Sequence, residues 1–161
     1  MEVDEFPFDI IVNKKEAFGK KVIQLEQAVS AAVSFFHSAT LVVPRSRFVP
    51  VKTCRDLLLA RSNIYSFDHG TPVASQLDVP IIRLGHHYKT VADFEKRFPC
   101  GVGMQGLVNL TVVGDVVFGE GCTCRGFVCL VGQEGQRLEI PANTALENVV
   151  INGSMEQMVP F

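Results

Sequence analysis

The stretch L-T-V-V-G-D-V-V-F-G-E-G-C-T-C-R-G-F-V-C-L, Leu110–Leu130, decides how the second half of this chain folds. Leu110, Val116, Cys122 and Val128 stand six apart, and Val112, Phe118, Cys124 and Leu130 form a second column in register with them. A polar insertion around G-Q-E-G-Q-R delays the next turn, after which Leu138, Thr144 and Val150, with Ile140 and Leu146, resume the spacing. This is a hexapeptide repeat with one looped-out insertion. Each six-residue step makes a short strand and a corner, and three steps close one triangular coil. The segment therefore predicts roughly two coils of a left-handed parallel β-helix. So short a stack leaves an apolar end that another domain or subunit must cover.

Upstream, G-V-G-M-Q-G at 101–106 has the spacing of a dinucleotide-binding loop. Its context argues against one, because it follows a helix and leads into β-repeats, with no helix N-terminus to receive a pyrophosphate. It reads as a hinge. Before it, T-V-A-D-F-E-K-R-F-P predicts a helix capped by Thr90, with Val91, Phe94 and Phe98 on one face and Pro99 beyond its end. I-I-R-L at 81–84 reads as a short strand, and residues 66–79, with Gly70 and Pro72, as a loop.

The first third reads as strand, helix, strand. D-I-I-V-N suits a buried strand. Val22, Leu25, Val29, Ala32, Val33 and Phe36 recur at three- and four-residue steps, the period of a helix with one apolar face. L-V-V before Pro44 returns to extended geometry. That unit belongs to an α/β sheet.

Between these parts lies V-P-R-S-R-F-V-P-V-K, Val43–Lys52, running into T-C-R-D-L-L-L-A. Pro44 and Pro50 stiffen the track that carries Arg45, Arg47 and Lys52. Thr53 followed by Asp56 resembles a capping box, which starts a helix just past Lys52. Unpaired N–H groups and the positive dipole end there would add to the Lys52 charge, an arrangement suited to phosphate. The alternative is that the arginines pair with carboxylates inside the fold and Lys52 is merely exposed.

Composition narrows the remaining choices. With 161 residues, 47% of them hydrophobic, the chain can fill a core. A net charge of -2 argues against nonspecific binding to nucleic acid or anionic membrane. No apolar run is long enough to span a bilayer, and the acidic start M-E-V-D-E-F-P-F is unlike a signal peptide, so a cytoplasmic protein is expected. Five scattered cysteines, Cys54, Cys100, Cys122, Cys124 and Cys129, lack metal or redox spacing and read as reduced core thiols. His86 and His87, adjacent in sequence, are poorly placed to share one ion, and no metal site is expected. No nucleophile elbow is present. Glu2, Asp4 and Glu5 read as solvated terminal charge.

The motif R-S-R-F-V-P-V-K followed by D-L-L-L resembles the corresponding stretch of the eukaryotic UTP-glucose-1-phosphate uridylyltransferase family. I-I-V-N and V-I-Q-L-E-Q-A before it, and G-D-V-V-F-G, L-E-I-P and L-E-N after it, match in the same order, so the resemblance runs from about Phe8 to Gly153. It implies transfer of uridylyl from UTP to glucose 1-phosphate with Mg2+, giving UDP-glucose and pyrophosphate. By motif match, Lys52 would be the catalytic, phosphate-contacting lysine, with Arg45 and Arg47 in supporting roles. The fold implied is the end of a nucleotidyltransferase-type mixed α/β sheet domain over 1–100, a hinge at 101–109 and a left-handed β-helix over 110–161. The Gly-rich nucleotide loop, the uridine and sugar pockets and the metal-binding aspartate of the family have no counterpart in this sequence. The resemblance therefore implies a C-terminal third that is inactive alone. UTP and glucose 1-phosphate would be its ligands, and a second copy or full-length enzyme its partner through the β-helix. A noncatalytic assembly module is the alternative.

Overall fold

Apolar residues at alternate positions, with glycine at corners, stack the second half of the chain into parallel strands. The computed structural model describes residues 8–75, 78–153 and 158–160; Glu2, Asp4 and Glu5 lie outside them. The chain divides into two compact units, Met1–Val43 and Pro44–Phe161.

In the second unit, strands β6 (Leu107–Val113), β8 (Thr123–Val131) and β10 (Ala145–Asn152) pair in parallel. Leu110 sits beside Val128, Val112 beside Leu130, and Leu130 beside Ile151. A separate parallel ladder joins β7 (Asp115–Phe118) to β9 (Arg137–Ile140), setting Val116 beside Leu138 and Phe118 beside Ile140. Strand β5 (Ile81–Leu84) extends the larger sheet beside β6, and β11 (Met158–Pro160) closes its other side antiparallel to β10. All eight residues of the two six-residue columns are buried. At one corner Gly114 adopts φ 85°, where a Cβ would lie 2.5 Å from the carbonyl oxygen of Gly132 in the next layer. Only glycine fits there.

The last layer breaks the expected spacing. Leu138, Ile140 and Leu146 are buried as expected, but Val149 and Ile151 point inward while Thr144 and Val150 are half-buried. The register with β8 is the cause: between the pairs Glu147–Arg125 and Val149–Val128, β10 has one residue, Asn148 at φ 45°, where β8 has two, Gly126 and Phe127. With one residue fewer than its partner, the rest of β10 exchanges its two faces. The Asn148 Oδ1 accepts the Phe127 N–H at 3.1 Å, which ties β10 to the bulged pair of β8.

Two short helices pack beside the strands. Thr90 caps α2 (Val91–Arg97), its hydroxyl accepting the Asp93 N–H at 3.1 Å. Phe94 and Phe98 are buried with Tyr88 and Phe118, the rings of Phe98 and Phe118 stacking at 4.7 Å. Val91, expected on the same face, is exposed; Tyr88, from the 3-10 turn His86–Tyr88, is the buried side chain ahead of the helix. The Tyr88 hydroxyl donates to the Val116 carbonyl at 2.8 Å. Helix α1 (Cys54–Arg61) buries Leu58. The G-V-G-M-Q-G segment, expected as a hinge, is pinned. Val102 and Met104 are buried, and Gly103 N–H donates to Cys122 O at 2.9 Å while its carbonyl accepts Cys124 N–H at 2.7 Å.

Two further expectations are corrected. Residues 66–79 are not wholly a loop, since β3 (Tyr65–Asp68) and β4 (Thr71–Ala74) form a hairpin around His69-Gly70, both at positive φ. The strand–helix–strand reading of the first unit also fails. Strands β1 (Ile10–Ala17) and β2 (Lys20–Gln27) form an antiparallel hairpin through Phe18-Gly19, again with both φ values positive. K-K-V-I-Q-L-E-Q satisfies period two near its end as well as the start of a helical period, and the tight turn selects the strand. Only Val29–Phe35 is helical, as a 3-10 helix, and residues 41–44 form no strand. No residue of β1, β2 or that 3-10 helix is buried.

Candidate functional site

The prolines hold the cationic stretch as expected of their fixed φ, with Pro44 at -58° leading a 3-10 turn over Arg45–Arg47. Its three cations then part company. Arg45 folds onto its own loop, its Nη1 donating to the Phe48 carbonyl at 2.6 Å and its guanidinium lying 4.9 Å from the Phe48 ring centre. It is satisfied internally, by a carbonyl and a ring instead of the carboxylate the sequence suggested. Arg47 lines a small cleft of about 300 Å³ with Phe48, Tyr65 and Phe67. Lys52 lines a larger one of about 690 Å³ with Cys54, Arg55, Arg83, His86 and Lys89.

The start of α1 is not open to a ligand in the manner expected. Asp56 Oδ2 accepts the N–H groups of Thr53 at 2.8 Å and Lys52 at 3.1 Å, and the Thr53 hydroxyl at 2.7 Å. These bonds, led by the Thr53 hydroxyl, hold the Asp56 carboxyl below its ordinary range against the opposing effect of partial burial. An internal carboxylate thus already occupies the positive end of the helix. Attraction for an anion in this cleft must come from side-chain cations.

Arg83, His86 and Lys89 are residues the sequence reading missed. The signal was present in I-I-R-L: on a strand with Ile82 buried, Arg83 points to the opposite face. Lys52, Arg83 and Lys89 have no ion-pair partner among the described residues, whereas Arg55 Nε lies 3.6 Å from Asp56.

The other chemistry-bearing groups are quiet. Burial pushes the Cys124 thiol up to about 12, with Cys122 adding to the effect, and burial also raises Cys54. Neither is a ready thiolate. The His86 and His87 rings lie 4.0 Å apart, and His87 Nδ1 is buried without a hydrogen-bond partner. Among the described residues no group of three or more His, Cys, Asp or Glu could hold a metal ion. The Mg2+ implied by the family resemblance therefore has no fitting ligand set among the described residues. Asp115 accepts from Arg97 Nε at 2.8 Å and from Arg137 Nε at 3.1 Å. Desolvation raises its carboxyl, but the two arginines outweigh that and hold it low. This is an internal strut between α2, β7 and β9.

By class, then, this is a mixed α/β protein built on parallel strands, with a cationic cleft beside a helix start. A family model described as UTP--glucose-1-phosphate uridylyltransferase matches residues 1–125. The chain is 41% identical over 152 residues to UTP--glucose-1-phosphate uridylyltransferase 2 of Dictyostelium discoideum, an alignment covering 91% of this chain and 30% of that protein. It is 42% identical to the probable enzyme of Schizosaccharomyces pombe, over 94% of this chain and 32% of the relative. Among solved structures, the Trypanosoma brucei UDP-glucose phosphorylase superposes with a TM-score of 0.66 at 34% identity, over 91% of this chain and 35% of that one. A Leishmania major UDP-glucose pyrophosphorylase in complex with UDP-glucose gives 0.65 at 33% identity, over 91% and 33%. The chain belongs to the UTP--glucose-1-phosphate uridylyltransferase family. It spans about a third of the length of these relatives.

Proposed function

We propose that this chain is the C-terminal third of a UTP-glucose-1-phosphate uridylyltransferase and supplies Lys52 to the phosphates of the reacting nucleotide. In that reaction a phosphate oxygen of glucose 1-phosphate attacks the α-phosphorus of UTP in line. The new bond is oxygen to α-phosphorus, the bond to the β-phosphate bridging oxygen breaks, and pyrophosphate leaves with the electron pair. The protein's work is to position anions and stabilise the charge that develops on them. Lys52 suits that work because its ammonium is exposed, unpaired and set in the 690 Å³ cleft on the stiff track between Pro50 and α1. That placement carries the reading. Arg45 and Arg47 take supporting roles, Arg45 by bracing the loop through Phe48.

The parallel ladders of β5 to β10 are taken to wind as a left-handed β-helix, since the buried columns recur at six-residue steps. The divisions at 1–100, 101–109 and 110–161 then describe the domains of a full-length enzyme and not the compact units of this chain. Taken alone, the chain is proposed to be inactive, because the sequence carries no Gly-rich nucleotide loop. The test is pyrophosphate release from UTP and glucose 1-phosphate, with this chain alone and with a family N-terminal two-thirds added. Activity only in the complemented mixture supports the proposal; no activity in either removes its catalytic half.

A further inference from the structure

The Lys52 cleft has a second wall. Helix α1 and the residues before it contribute Lys52 and Arg55; the strand end and turn opposite contribute Arg83, His86 and Lys89. No Asp or Glu among the described residues lines the cleft. The Asp56 carboxylate, on α1, accepts from the Thr53 hydroxyl and the peptide groups of Lys52 and Thr53. Both walls lie in the Pro44–Phe161 unit, so the cleft belongs to one compact body. Gly85, which connects Arg83 to His86, is anchored by its N–H to the Val112 carbonyl at 2.9 Å, and Tyr88 just before Lys89 is buried in the aromatic cluster. The cations of the second wall are therefore mounted on a fixed backbone, which lowers the entropy lost when they gather around a ligand.

Charge decides what that ligand is. Lys52, Arg83 and Lys89 give three cations with no ion-pair partner among the described residues, with Arg55 only partly engaged by Asp56. A single phosphate monoester carries roughly -1.5 to -2 at neutral pH and would leave part of this charge uncompensated. Two linked phosphates match it better. We propose that Arg83 and Lys89, which line the cleft together with Lys52, bind a pyrophosphoryl group, free or as the terminal two phosphates of a nucleoside triphosphate. This rests on the Lys52 reading above and extends it to residues outside the family motif. In the reaction, the second wall would hold the leaving pyrophosphate while Lys52 follows the charge that builds on it.

The experiment is calorimetric titration of the full chain with inorganic pyrophosphate and, separately, inorganic phosphate. Pyrophosphate should bind more tightly than phosphate, with affinity falling as salt rises. Arg83→Gln combined with Lys89→Gln should weaken pyrophosphate binding by about tenfold or more, at roughly 1.5 kcal/mol or more for charged hydrogen bonds. The charge-preserving pair Arg83→Lys and Lys89→Arg should recover most of it. Lys14→Gln with Lys15→Gln, the same charge removed from β1, should leave it unchanged. All three double variants alter exposed side chains, and an unchanged circular dichroism melt confirms that folding is intact. Three results overturn the second wall: no pyrophosphate binding by the wild type, equal loss in the Lys14/Lys15 control, or full affinity in the Arg83/Lys89 variant. If that variant keeps full affinity while Lys52→Ala loses it, the second wall alone fails. If Arg83 and Lys89 govern binding but the complemented enzyme releases no pyrophosphate, the cleft stands and the catalytic reading falls.

Discussion

At the residue scale, two carboxylates do opposite kinds of work with similar chemistry. Asp56 closes the start of α1 and so removes the helix end as an anion trap, while Asp115 neutralises two arginines that pack against the strands. Asp115→Asn leaves the Arg97 guanidinium, whose side chain is 11% exposed, without its charged partner. A loss of about 1–2 kcal/mol in urea denaturation is expected, the more exposed Arg137 contributing little of it. The pH dependence follows from the sign of the shift. Because the folded carboxyl titrates below its unfolded value near 3.8, its contribution is complete above that value and disappears as pH falls below it. Wild type should therefore lose stability more steeply than Asp115→Asn as pH drops through the range below about 4. Parallel curves for the two would contradict the pairing. At neutral pH, Cys124 should resist alkylation by iodoacetamide until the chain is unfolded, since burial holds its thiol up at about 12.

At the scale of elements, the stacked strands were the most legible part of the sequence and the first forty residues the least. The six-residue columns could be read because every layer repeats the same inward positions, so a single pattern is seen several times. Val149 and Ile151 escaped that reading because β10 has only the left-handed Asn148 where β8 has two residues, and a periodic pattern carries no warning of a single missing residue. The β1–β2 hairpin was missed for a different reason. Its apolar residues face no core within the described residues, so their spacing was not constrained by burial and imitated a helix. In the cleft, Lys52 could be singled out from its motif, whereas Arg83 on β5 and Lys89 after the following turn join it only through the tertiary fold. Gly114→Ala tests the stacking itself. A Cβ 2.5 Å from the Gly132 oxygen, on a backbone at φ 85°, should cost about 1–3 kcal/mol and lower the thermal midpoint by several degrees. An unchanged midpoint would mean that the corner is looser than described.

At the scale of the whole molecule, the two units differ in kind. Pro44–Phe161 has a continuous buried core, while in the first unit Ile10, Ile23, Leu25, Leu41 and Val42 are each at least 60% exposed. An apolar surface of that kind is a contact surface or an aggregation liability. The chain by itself should bind the dye ANS and scatter light increasingly with concentration, and adding a family N-terminal two-thirds should suppress both. A monodisperse chain that ignores the dye would contradict this. Such complementation also decides the proposal that Lys52 acts on phosphates held with the help of the rest of the enzyme. The most direct measurement is the rate of pyrophosphate release by the complemented enzyme carrying either Lys52 or Lys52→Ala. Loss of one preorganised charge at the reacting phosphates predicts a fall in kcat of about 100-fold or more, with the melt unchanged. An alanine variant that turns over at the wild-type rate would show that Lys52 is not the residue through which this chain serves the reaction.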